Sequence, residues 1–144
     1  MLKVLLALAL AAGAGPQLPI HDGGVCVGLS WVTLAIGEKV TVEQGPDFNV
    51  YRFEGPKGPE DHWWGVYSGN FAQVEGNGPL LFKRDGVTVK RAIDDGKFRG
   101  YLAEKNGWQN HFFGSVFAGN ASDESFFDRV DFGQKGQSLC KEDR

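Results

Sequence analysis

From residue 30 onward, short runs of aromatic and β-branched residues alternate with glycine-bearing turns, the punctuation of a strand-rich chain. The pattern predicts strands at Ser30 to Ile36, Lys39 to Glu43, Phe48 to Phe53, Trp63 to Ser68, Leu80 to Lys83, Val87 to Ile93, Phe98 to Glu104 and Gln109 to Phe117. Asp85-Gly86, Asp95-Gly96 and Asn106-Gly107 fall between such runs. The first and third suit two-residue hairpins, because their residues accept the positive φ that the strand twist demands of the turn. The expected fold class is therefore mainly β, an antiparallel meander sheet or flattened barrel of about seven to eight strands with one short C-terminal helix.

Alternation assigns faces. Val87, Val89 and Ile93, then Phe98 and Leu102, then Phe112, Gly114 and Val116 are expected on the core side, with Thr88, Lys90, Lys97 and Arg99 as polar alternates. In the earlier run, Val50 opposes Tyr51 and the period is less clean. Near the end the period changes to that of a helix. Ser122 reads as an N-cap, Asp123 and Glu124 as first-turn acids, and Phe126 and Val130 as an apolar stripe one turn apart. The polar tail from Gly133 carries no comparable pattern until Cys140.

The first residues have a different logic. Lys3, an apolar run from Val4 to Ala12 and the small residues Ala12-Gly13-Ala14 form a cleavable secretory signal spanning residues 1–14, with a single β-rich domain expected over residues 15–144. The run is too short to cross a bilayer, which takes roughly twenty apolar residues, and no membrane span is expected later in the chain. Export to a periplasmic or extracellular space makes the two cysteines a natural pair. A Cys26–Cys140 bridge would fasten both ends of the domain, worth roughly 4–5 kcal/mol for a loop of about a hundred residues.

The chain has 15 basic and 18 acidic residues, a formal charge of −3, and loses Lys3 with the signal. No nucleic acid is expected as partner, since that contact requires clustered positive charge. Phosphate loops, zinc-type cysteine pairs, His-Glu-x-x-His and Gly-x-Ser-x-Gly motifs are missing, and no cofactor or metal is expected. His21, His62 and His111 are scattered, although neighbouring strands could bring the last two together. Glu60-Asp61 beside His62 could orient an imidazole, yet no nucleophile accompanies it. Asn120-Ala121-Ser122 matches the N-glycosylation acceptor pattern.

The aromatic content carries more weight. Trp63 and Trp64 are adjacent, so on a strand they face opposite ways and cannot share one core. Trp108 follows the Asn106-Gly107 turn, where a loop tip can meet a partner. These positions predict a contact surface for a protein or small ligand around Trp63 or Trp64, Tyr67 and Trp108, rimmed by His62. The expected function is a small exported, non-catalytic binding protein of inhibitor, immunity or envelope-binding type. The competing class is a small secreted hydrolase using His62 and Asp61, with His111 brought into the same pocket.

Overall fold

The computed structural model describes residue 20 and residues 22–28, 30–70, 78–117 and 124–142. The leader expected at residues 1–14, His21, the acceptor Asn120, Ser122 and Asp123 lie outside the described residues.

Two antiparallel sheets enclose one core. The large sheet holds β3 (Lys39–Gln44), β4 (Phe48–Gly55), β5 (Gly58–Gly69), β6 (Leu80–Arg84), β7 (Val87–Asp94), β8 (Lys97–Lys105) and β9 (Trp108–Gly114). Its order is β3-β4-β5-β9-β8-β7-β6, so the second half of the chain runs out to the far edge and meanders back until β9 pairs with β5. The sheet does not close into a barrel, and β3 and β6 are its edges. Three hairpins of this meander turn on residue pairs with positive φ, Asp85 and Gly86, Asp95 and Gly96, Asn106 and Gly107. That conformation matches the right-handed twist of the flanking strands.

The small sheet, in order β1-β2-β10, comprises β1 (Gly24–Val27), β2 (Ser30–Thr33) and β10 (Val130–Asp131). Val25, Val27, Val32 and Val130 face the large sheet and meet Val40, Val42, Phe53, Trp64, Val66, Val89, Tyr101 and Phe112 in one cluster. Cys26 and Trp31, cross-strand partners, face the other way. There the helix α1 (Gln134–Glu142) packs, tied down by the Cys26–Cys140 disulfide. Among the described residues no helix is long and apolar enough to cross a membrane.

Three local expectations are corrected. Residues 125–129 form a 3-10 turn, not an α-helix, and the α-helix lies in the polar tail at residues 134–142. The turn delivers Phe126 and Phe127 to the core side by side and then releases Val130 into β10 against Val32, which a continuing helix could not do. Leu102 faces away from the core. Arg91 pairs with Tyr101 but Ile93 with Phe98, so β8 carries one extra residue at Arg99-Gly100 and its face order flips there. Phe98 and Tyr101 consequently share the core side, while Leu102, opposite His111, lies on the outer one. Gly100 has φ +96° and its missing side chain would strike the Phe112 carbonyl, so the bulge depends on glycine. Finally, β9 ends at Gly114, and a 3-10 turn over Ser115–Phe117 leaves Val116 exposed and Phe117 buried.

Candidate functional site: the aromatic outer face

The central strand β5 sorts its side chains by alternation. Trp64, Val66 and Ser68 point inward and are buried; Trp63, Gly65, Tyr67 and Gly69 line the outer face. Trp64 is fully buried, stacked on Phe53 at 3.7 Å and met edge-on by Phe126 at 4.9 Å. Only Trp63 of the adjacent pair is therefore available to solvent.

On the outer face the two glycines leave space that neighbouring rings fill. A Cβ at Gly65 would stand 2.7 Å from Phe113 Cζ, so the Phe113 ring reaches across from β9 onto the floor of β5. A Cβ at Gly69 would stand 3.0 Å from Phe48 Cβ and 3.1 Å from the Tyr67 hydroxyl. Tyr67 stacks on Phe48 at 5.3 Å and pairs across the ladder with His111. His111 lies 5.4 Å from Phe113, and Phe113 meets Trp63 edge-on at 6.1 Å. All five rings are half-buried. Arg52 sits over Trp63 at 4.9 Å and is itself paired with Glu54 at 2.9 Å.

His111 is fixed within this layer. Its Nε2–H donates to the Arg99 carbonyl at 2.7 Å, and burial pushes its pKa below the ordinary 6.5 against the smaller raising effect of that bond.

Trp108 lies at one end of the inner side, where its indole N–H donates to Ser68 Oγ at 2.9 Å. With Gly45, Pro46, Asp47, Phe48, Asn49 and Asn70 it lines an open cleft of about 290 Å³. Phe48 thus belongs to the cleft and to the outer layer at once. Behind Trp108, Asn110 donates to the Val27 carbonyl, while its Oδ1 is buried without a donor.

His62 occupies the opposite end of β5. Its Nε2 lies 3.6 Å from Glu38 and its Nδ1 3.7 Å from Asp61. Glu38 is the centre of a buried polar knot: it accepts from the Trp64 indole at 2.9 Å and the Ala35 amide at 3.2 Å, and pairs with Arg129. Arg129 also donates to the Thr33 carbonyl and covers the Trp64 ring at 5.2 Å. This knot fastens the segment before β10 to the loop before β3.

Of the residues singled out in the sequence, Trp63 and Tyr67 share the outer face. Trp64 belongs to the core, Trp108 to the cleft, and His62 to the Glu38 knot. His62 and His111 are not brought together: His111 pairs opposite Tyr67, five residues along β5, a distance of about 16 Å at the usual strand rise. Sequence reasoning missed Phe48 as the hinge between cleft and face, and Glu38 with Arg129. The glycines at 65 and 69, alternating with Trp63 and Tyr67, were the available signal for the ring layer. Among the described residues no group of three or more His, Cys, Asp or Glu side chains gathers as a metal site.

Fold and site together define an all-β protein of two facing antiparallel sheets, with a layer of aromatic rings on the side of the larger one away from the core. No family model, no curated protein and no solved structure matches the chain.

Proposed function

We propose that this is a small exported, non-catalytic binding protein whose contact surface is the outer aromatic face of the large sheet. The observation that carries this reading is the half-exposed layer of Trp63, Phe113, His111, Tyr67 and Phe48, laid on glycines, on the side of the sheet that the core does not use. Aromatic rings kept partly wet by the fold gain most when a partner completes their burial. Export is supported by the residues at the amino terminus and by the Cys26–Cys140 bridge, which suits an oxidising compartment. A hydrolase built on His62 finds less support, because both ring nitrogens face carboxylates and Ser115, in the 3-10 turn after β9, is occupied bridging the Trp63 backbone N–H and carbonyl.

The test is capture of components from the native extracellular or periplasmic fraction on immobilised protein, comparing wild type with Trp63→Ala and Phe113→Ala. Components held by wild type and lost by both folded variants establish the surface. Equal capture by all three refutes it.

A further inference from the structure

The cleft and the outer layer form one path. Trp108 and Phe48 line the cleft, Phe48 stacks on Tyr67, and His111, Phe113 and Trp63 continue along β5 and β9. From Gly69 to Trp63 this track follows the strand for six residues, about 20 Å. It is a row of rings on an open sheet face, whereas a site for one compact ligand would be closed around its occupant.

The charges beside it are balanced. The guanidinium of Arg52 is neutralised by Glu54, and the cleft contributes the carboxylate of Asp47 with the amides of Asn49 and Asn70. The guanidinium seated on this layer is thus neutralised in place, and the net negative charge of the whole protein disfavours an anionic chain. The fitting occupant is an uncharged linear polymer with flat apolar faces and a rim of hydroxyls. Pyranose rings have that form: their C–H faces stack on aromatic rings, and their hydroxyls pair with planar amide and carboxylate groups.

We propose that the track binds a neutral linear polysaccharide, with successive sugars seated on the rings between Trp108 and Trp63. This rests on the reading of the outer face as the contact surface and names what it contacts.

The experiment uses the disulfide-bonded protein. Depletion by insoluble cellulose, chitin and xylan is measured, with tryptophan fluorescence titrations against the corresponding soluble hexasaccharides and against heparin as the anionic counterpart. Binding of at least one neutral glycan is expected, weakened at least about tenfold by Tyr67→Ala and by Phe113→Ala, the scale of losing one anchor. Leu80→Ser, an exposed change on the β6 edge, should bind as wild type. If Phe113→Ala loses its fold, Trp63→Ala supplies the same comparison. The proposal is overturned if no neutral glycan binds, if heparin alone binds, or if folded variants bind as wild type. A captured protein that is lost by Trp63→Ala while every glycan fails would overturn the polysaccharide and leave the contact surface standing.

Discussion

Replacing Glu38 probes the polar knot directly. Its carboxylate is wholly buried and satisfies the Trp64 indole, the Ala35 amide and the Arg129 guanidinium. Glu38→Ala removes all three acceptor contacts and leaves a buried indole N–H without a partner, about 1–3 kcal/mol by itself. Breaking a buried ion pair from one side costs about 3–5 kcal/mol when the other charge stays buried. Arg129 retains 23% exposure and its bond to the Thr33 carbonyl, so part of its charge can turn to water and the upper figure is too large. We expect a loss of about 3 kcal/mol for Glu38→Ala. Glu38→Gln keeps a carbonyl for the indole and should lose about half as much. Urea unfolding followed by tryptophan fluorescence reads both, with an unchanged slope confirming that only stability moved. A loss below about 1 kcal/mol for Glu38→Ala would refute the view that this carboxylate organises the end of the fold.

Trp64→Ala should cost about 3–5 kcal/mol by emptying the core beside Phe53, whereas Trp63→Ala on the outer face should cost about 1 kcal/mol or less; equal costs in thermal or urea melts would contradict the face assignment. Reducing or removing the Cys26–Cys140 bridge should lower stability by about 2–5 kcal/mol, and intact-mass analysis with alkylation should find no reactive thiol until reductant is added. Because the native pKa of His111 is depressed, the unfolded chain binds the proton more readily: His111 contributes stability above the unfolded value of 6.5, and this contribution fades as pH falls from there towards the lower native pKa. His111→Gln should therefore flatten the acid side of the stability profile, and an unchanged profile would exclude the effect.

Much of the large sheet was readable because local chemistry determined it. Asp-Gly and Asn-Gly pairs mark turns by their own conformational tolerance, and runs such as Val87 to Ile93 need only their neighbours to become strands. The failures share a different origin. The flip of Leu102 depends on a bulge at Gly100, created by how β8 meets β7 and hidden from any strict two-residue period. Helix α1 shows almost no apolar stripe; Gly136, Leu139 and Cys140 suffice because a disulfide and a close approach to Asp131 hold it. Strands β1 and β10 span four and two residues and exist by pairing with β2. Glu38 and Arg129 are 91 positions apart, and charged residues in a loop and a turn read as solvated until the fold brings them together.

The candidate surface was half-legible for the same reason. Alternation alone requires Trp63 and Trp64 to separate, but it leaves open which of them the core receives. That choice belongs to the partner layer: Glu38, Arg129 and Phe126 assemble around the inward indole and supply its hydrogen bond, its cation and its edge contact. Trp63 is left over Arg52 and beside Phe113, without a hydrogen-bonded indole among those contacts. The two faces of β5 are thereby separated in what they determine. Changes at Trp64, Val66 and Ser68 act on folding, whereas changes at Trp63 and Tyr67 alter a half-buried layer outside the core. A surface whose rings can be exchanged at small cost to the fold is one on which binding can be selected independently of stability. Because Gly65 and Gly69 hold that layer down, Gly65→Ala, whose Cβ would press on Phe113 and the Tyr51 carbonyl, should disturb binding even though it removes no contacting side chain.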